Sequence, residues 1–402
     1  MSTVFAQSVE VLTTALAVAG MGYFLAAMVA ARVFLAARRA PLAAFSPGVS
    51  ILKSLNGLDP GMIDAFRSHC RQTYGGDFEL LFGVSSLTDP AAAIVEQLIK
   101  EFPAQSIQLI RCPTRLGTNG KVSTLVQLET QARYNFILIN DSDITVSPRY
   151  LERIMAHFAP QPDESIPAPD RAKARKEVGL VTALYRGRAH RTLPSRLEAL
   201  GIATDFQPGV LLSRLIEGGL HFGLGSTLAV SRKALDKIGG LLPLVDHLAD
   251  DYELGARVDR AGYSVALSAE VVETAIPAYN WRGFFDHQLR WARTVRDARR
   301  WGYAGLLFTH GLPLALLNVL ASGFSPLSLW LLGLSFLLRL ALAMTVGAEV
   351  LGDRQVLPNL WLLPLRDLVA LGIWAAGFAG NTIVWRGERF RLKGERLEPI
   401  ED

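Results

Sequence analysis

Two long runs without charge, one near each end of the chain, constrain the fold most: whatever lies between them must fold as a body tethered to lipid on both sides. Val11 to Ala31 contains no charged side chain, and at about 1.5 Å per residue it would reach roughly 31 Å, the depth of a bilayer core. It is too long for a signal-peptide core and no clean Ala-x-Ala cleavage site follows it, so it reads as a retained anchor. From Ala304 to Ala348 the ionisable groups are His310 and Arg339 alone, and a third apolar stretch, Leu368 to Trp385, follows the pair Arg366-Asp367. These runs account for a mean hydropathy of +0.25, above that of an ordinary soluble domain.

Basic residues punctuate the runs. Arg32, Arg38 and Arg39 follow the first, and Arg290, Arg293, Arg296, Arg299 and Arg300 precede the second, so the positive-inside rule places the intervening domain in the cytoplasm of a bacterial inner membrane protein. Arg386, Arg389, Arg391, Lys393 and Arg396 ask for the same side, which two full spans plus an interfacial or re-entrant segment near 304–323 would satisfy. The expected organisation is an anchor at 8–36, a catalytic domain at 45–300 with a flexible insert at 159–176, membrane segments at 301–386 and a basic tail at 387–402. The net charge of +4 does not indicate nucleic acid, because the basic residues cluster where anionic lipid heads would meet them. Cys70 and Cys112 form no C-x-x-C pair and have no metal-type His spacing, so they read as buried thiols.

Between the anchors, short apolar runs alternate with helical stretches: Val49–Leu52, 61–72, Phe78–Val84, 90–102 and Gln108–Ile110, then Phe136–Ile139 and Val178–Leu184. This is the βαβ cadence of an α/β domain with a mostly parallel sheet, whose ligands gather beyond the carboxyl ends of the strands. The cadence breaks at Ala159 to Lys176, where four prolines, acids and a basic run read as a solvated loop.

Acidic motifs fall where such a fold would use them. Asp141-Ser142-Asp143 directly follows a strand-like run, and two carboxylates in one loop suit a hard divalent cation, Mg2+ or Mn2+, that also takes phosphate oxygens. In sugar transfer such a cation would stabilise the charge developing on a leaving diphosphate. The bland alternative is a solvated turn. Asp89 before Pro90 is a good helix start, and the same loop could hold a nucleotide. Lys121, after the loop Gly117-Thr118-Asn119-Gly120, is placed to approach phosphate or else to lie on a helix surface. Asp251 in Ala249-Asp250-Asp251-Tyr252 is the candidate general base, the alternative being a plain helix opening. A helix over 284–300 would bring His287, Arg290 and Trp291 to one face, facing a diphosphate and sugar or the membrane interface.

The chain resembles the inverting family 2-type glycosyltransferases, and within them the ceramide glucosyltransferase-like branch. The residues that carry this are Ile51-Leu52-Lys53-Ser54-Leu55-Asn56-Gly57-Leu58-Asp59, Thr88-Asp89-Pro90-Ala91, Asn119-Gly120-Lys121-Val122, Asp141-Ser142-Asp143-Ile144 and Ala249-Asp250-Asp251-Tyr252. Gly179-Leu180-Val181-Thr182-Ala183-Leu184-Tyr185-Arg186-Gly187 and Arg290-Trp291-Ala292-Arg293-Thr294 bring it nearest to the bacterial hopanoid biosynthesis-associated glycosyltransferases. The resemblance implies a nucleotide-diphosphosugar transferase (GT-A type) fold, a UDP-N-acetylglucosamine or UDP-glucose donor, and a hopanoid polyol such as bacteriohopanetetrol or a ceramide as acceptor. It implies Asp89 at the nucleotide, Asp141 and Asp143 at the metal diphosphate, Asp251 as base, and Arg290 with Trp291 completing the site. His287 stands where the pattern has Gln or Arg, and Ser54 where proline is usual. A processive polysaccharide synthase and a non-catalytic membrane scaffold are the competing readings.

Overall fold

The apolar runs of the middle segment assemble into one eight-stranded sheet. The computed structural model describes residues 2–39, 43–160, 176–385, 388–394 and 396–400 of the chain. In chain order the strands are β1 (Val49–Ser54), β2 (Phe78–Val84), β3 (Ser106–Arg111), β4 (Phe136–Ile139), β5 (Ile144–Thr145), β6 (Val178–Arg188), β7 (Leu228–Ser231) and β8 (Ser264–Ala275). Their spatial order is β3-β2-β1-β4-β7-β6-β8-β5. The pairs β1–β2, β2–β3, β1–β4 and β6–β8 are parallel, while β7 and β5 run against their neighbours. The central strands are buried along nearly their whole length, which explains why they read as continuous apolar runs rather than alternating ones.

The parallel register decides where the site forms. Leu52 of β1 pairs with Ile139 of β4, so the loops leaving both strands, with Asn56 and Asp59 on one and Asp141 and Asp143 on the other, emerge at the same sheet edge. Between strands lie the helices Met62–Cys70, Pro90–Glu101 and Gly120–Glu129. Cys70 and Cys112 are buried thiols, not joined in a disulfide. Nearly all of the expected insert at 159–176 lies outside the described residues.

The N-terminal helix runs Ser2–Ala37. Among the described residues three helical segments are long and apolar enough to cross a membrane, Gln7–Ala37, Pro326–Val350 and Val356–Gly377, and a bent pair, Arg300–Thr309 with Gly311–Ala321 at 62°, forms either a broken span or a re-entrant loop. The bent pair coincides with the segment expected near 304–323. Thr13 and Thr14 donate to the Asn318 side chain at 3.0 and 2.9 Å, tying the N-terminal helix to the second arm of that pair by the polar contacts that hold helices together in lipid.

The C-terminus differs from expectation. The apolar stretch Leu368–Trp385 is not one membrane segment: its helix ends at Gly377, Gly380 takes a φ of +73°, and Thr382–Trp385 becomes a strand, β9. The segment read as a basic tail supplies β10 (Glu388–Lys393) and β11 (Arg396–Pro399), paired antiparallel with β9 into a small sheet. Phe390 and Leu392 alternate with exposed charged residues and pack with Ile383, Leu397 and Leu248. That period of two is a half-buried strand pattern, and the arginines between the apolar residues disguise it as a lipid-headgroup anchor.

Candidate active site

A single cavity of about 1040 Å³ joins the sheet edge to the membrane helices. At its sheet end the wall includes Asn56, Asp59, Lys121, Asp141, Asp143, Asp250 and Asp251; it continues past His287, Arg290 and Trp291 to Tyr23, His310, Arg366 and Trp374. Of the expected site residues, Lys121, Asp141, Asp143, Asp251, His287, Arg290 and Trp291 are therefore brought together along one wall.

Asp89 stands apart from the cavity wall. Its carboxylate caps the Pro90–Glu101 helix through the Ala91 amide at 2.8 Å and accepts the Gly57 amide at 3.0 and 3.1 Å. The side chain thus braces the loop that carries Asn56 and Asp59, and of the two readings left open by the sequence the geometry displays helix capping.

Lys121 is neither a surface lysine nor free to wander. Asn119 caps the Gly120–Glu129 helix through the Val122 amide at 3.1 Å and donates to the His247 carbonyl at 2.8 Å, which clamps this helix to the loop before Asp250. The Lys121 ammonium then lies 2.8 Å from Asp141 Oδ1 and 3.3 Å from Asp250 Oδ2. Burial by itself would weaken the ammonium, but Asp141 and Asp250 hold its pKa well above the ordinary lysine value.

Asp250 and Asp251 open the Asp250–Arg260 helix, where the positive end of the helix dipole favours carboxylates. The plain helix opening and the candidate base position are therefore the same place in the fold. Asp251 accepts the Gly225 amide at 2.8 Å through Oδ2 and the Tyr252 amide at 2.8 Å through Oδ1. Only a glycine at 255 permits the helix to approach the 222–225 loop this closely, since a Cβ there would meet the Gly223 nitrogen at 2.2 Å. Burial, then the neighbouring Asp250, raises Asp251 to a pKa of about 6 against the pull of Lys121, which suits a base working near neutral pH.

Asp143 accepts a hydrogen bond from Thr274 of β8, and burial with the charges of Asp141 and Asp59 raises it to about 6. Ser142, between the two acids, donates to Asp59. Among the described residues no group of three or more His, Cys, Asp or Glu side chains forms a complete metal cage. A cation here would complete its coordination with ligand oxygens, as a hard ion shared with a diphosphate does. The donor set of Asp141 and Asp143 fits such an ion.

Sequence reasoning assigned no chemistry to four residues in or beneath this wall, of which Asp59, Thr274 and Glu198 line the cavity. Lys53, 1% exposed at the end of β1, donates to the Asp141 carbonyl at 2.9 Å, and burial lowers its pKa to about 7 against the pull of Asp143 and Asp141. Asp59 and Thr274 hold Ser142 and Asp143, and Glu198, 2% exposed, lies 3.2 Å from His287 Nδ1. A lysine directly after the apolar pair Ile51-Leu52 of a buried strand was the legible signal for the first. The others arrive from distant segments, and spacing does not show that.

His287, Arg290 and Trp291 share the cavity face of the Trp281–Ala298 helix, as expected. The His287 ring stacks on Tyr279 at 5.5 Å and lies 5.2 Å from Trp291, which in turn lies 6.0 Å from Phe206. In the segment 206–225, Phe206, Ser213 and Glu217 line the cavity. Arg214 and His221 do not, and His221 pairs with Asp259 at 2.9 Å instead. The small C-terminal sheet covers the acidic end: Trp385, Glu388 and Phe390 line the cavity, Arg115 bonds Glu388 at 3.0 Å, and the Leu397 amide donates to the Asp246 carbonyl at 2.9 Å.

The chain is 23% identical over 360 residues to ceramide glucosyltransferase 1 of Caenorhabditis elegans, covering 86% of this chain and 72% of that one. It is 24% identical over 247 residues to ceramide glucosyltransferase 3 of the same nematode, covering 61% of this chain and half of the relative. Among solved structures, the mannosyltransferase of Pyrobaculum calidifontis in complex with GDP-Man and Mn2+ superposes with a TM-score of 0.53 at 18% identity, over 92% of this chain and 97% of that one. At that identity the likeness establishes the fold, a GT-A-like α/β glycosyltransferase fold. The sequence matches glycosyl transferase family 21 from residue 12 to residue 397, and with the fold in agreement the chain belongs to that family.

Proposed function

We propose that this glycosyltransferase moves one sugar from a UDP-sugar to a hydroxyl of a membrane lipid, with inversion at the anomeric carbon. The observation that carries the lipid acceptor is the continuous cavity, which opens at the acidic loops and ends among membrane helices. A soluble acceptor has no use for that second end.

In this reading the nucleotide lies against Asn56, Ser85 and Thr114, which line the sheet end, with Asp89 bracing the loop beneath it. Asp141 and Asp143 hold a divalent cation, Mg2+ or Mn2+, which when bound supplies charge to the diphosphate. Lys121 offers a second positive charge at the same place. Asp251 takes the proton of the acceptor hydroxyl as its oxygen bonds to the anomeric carbon, and the bond from that carbon to the diphosphate breaks on the opposite face. Arg290 faces the leaving group, and His287 and Trp291 wall the sugar. The arginines after the N-terminal helix support a catalytic domain on the cytoplasmic side of a bacterial inner membrane.

For the acceptor, the motifs around Gly179–Gly187 and Arg290–Thr294 support a hopanoid polyol such as bacteriohopanetetrol, with N-acetylglucosamine or glucose as the sugar. The ceramide glucosyltransferases among the relatives support ceramide equally. Purified protein in nanodiscs, offered UDP-glucose and UDP-N-acetylglucosamine with each lipid, with and without Mg2+ or Mn2+, decides by lipid mass spectrometry. A metal-dependent adduct carrying one sugar is the expected product. A growing polymer, or no lipid adduct with any donor, overturns the reading.

A further inference from the structure

The membrane end of the cavity holds a second charged cluster that the transfer step does not use. Arg339, 2% exposed, bonds both oxygens of Asp367 at 2.8 and 2.7 Å, the Thr204 carbonyl at 2.9 Å and the carboxylate of Asp205. Its guanidinium is fully engaged and does not line the cavity. Arg366 is different. It is 7% exposed, it lines the cavity, and its Nη2 lies 3.1 Å from Asp205 Oδ2 without hydrogen-bond alignment. Its Nε and Nη1 have no hydrogen-bond partner among the described residues. Two more buried atoms of this same wall, the Tyr23 hydroxyl and Asp205 Oδ2, are in the same condition.

The placement is built into the fold. Arg366 reaches this position because residue 201 is glycine: a Cβ there would lie 2.3 Å from both Nε and Nη2. Asp205 sits in a π-helical turn, Ile202–Phe206, a feature that recurs at functional sites. Buried donors left without partners are costly and call for an explanation. The charges suggest what would satisfy them. Two arginines face two aspartates, so an additional ion would arrive uncompensated, whereas a group that both donates and accepts would match the free guanidinium nitrogens, the tyrosine hydroxyl and the carboxylate oxygen.

We propose that Arg366, Asp205 and Tyr23 form a subsite for a neutral hydrogen-bonding group of the acceptor lipid, an amide or hydroxyl set back from the hydroxyl that receives the sugar. The inference rests on the lipid-transfer reading and deepens it. The subsite distinguishes lipids that carry this second group from lipids that lack it.

The test uses the full chain in nanodiscs and compares paired acceptors: ceramide against its N-methyl analogue, and bacteriohopanetetrol against a hopanol with a single hydroxyl. Wild-type protein prefers the first member of the pair it uses by about tenfold or more in kcat/KM, as a site built to hydrogen-bond its substrate does. In Arg366→Met, and separately in the gentler Tyr23→Phe, that preference falls toward parity through the acceptor KM, while the affinity for UDP stays unchanged. The pair that shows the effect identifies whether the amide or the hydroxyl is the group held. Equal use of both members by the wild type, or an undiminished preference in a variant that still binds UDP, overturns the subsite while leaving the lipid-transfer reading standing. Absence of transfer to every lipid by the wild type overturns both.

Discussion

The two ends of the cavity bury charge in opposite ways. At the sheet end Asp59, Asp141, Asp143, Asp250 and Asp251 face Lys53 and Lys121, so acid is in excess. At the membrane end Arg339 and Arg366 balance Asp205 and Asp367. An unbalanced cluster is incomplete until a cation arrives; burial, then the neighbouring acids, raises Asp143 and Asp251 to about 6. A balanced cluster in lipid holds helices together and has no call for an ion. In the proposed reading, excess charge marks the place for a metal and diphosphate, and neutrality marks the place where the apolar helices meet the α/β domain.

The comparison breaks most sharply at Asp251. Asp251→Asn should lower kcat by about 10²–10⁴-fold, the range for loss of a general base, with UDP-sugar affinity nearly intact by titration calorimetry. Near-native turnover would remove Asp251 from that role. At the other end, Arg339→Met leaves the buried Asp367 carboxylate without its hydrogen-bonded partner and should cost about 3–5 kcal/mol of stability, read as a large fall in the thermal midpoint in detergent. If instead the midpoint held and only turnover fell, the balanced cluster would be catalytic rather than structural.

Asp141→Ala should abolish the metal dependence of donor binding and weaken UDP-sugar affinity by roughly tenfold or more, the scale of a lost charge-assisted contact. Donor affinity that still responded to Mn2+ would move the cation elsewhere. The smallest effect is on pH. Asp251 must be ionised to accept a proton, so kcat should rise as pH rises through about 6. Stability runs the other way: with its pKa raised from 3.8 to about 6, Asp251 contributes stability fully present below 3.8 and lost as pH rises through about 6. Metal-free protein unfolding more readily at pH 7 than at pH 5 would sharpen the contrast, and a Asp251→Asn variant should show that difference reduced.

Much of this architecture was legible because local patterns report it directly. The strand Phe136–Ile139 and the charge-free N-terminal run are read from hydrophobicity alone, since a buried strand and a membrane helix each need an unbroken apolar surface. His287, Arg290 and Trp291 share a face because helical geometry makes positions i, i+3 and i+4 neighbours. The C-terminal strands were not legible. Glu388–Lys393 carries its strand period on two apolar residues among charges, and their burial depends on Leu248, far away in sequence. Asp89 shows the converse limit, since a capping aspartate and a ligand-binding one have the same sequence signature and only its bond to Gly57 tells which loop it serves.

The sequence by itself determined the charge-free N-terminal run, the α/β cadence and the acidic motifs at the ends of strands, because each depends on residues close together in the chain. Only the tertiary structure decided that Lys121 sits between Asp141 and Asp250, that a basic C-terminal segment folds over the acidic end, and that one cavity runs from those acids to Arg366. Apart from the Lys121–Asp141 pair, those facts rest on contacts between segments a hundred or more residues apart, and such pairings are set by how the sheet, the loops and the membrane helices pack, not by any local pattern.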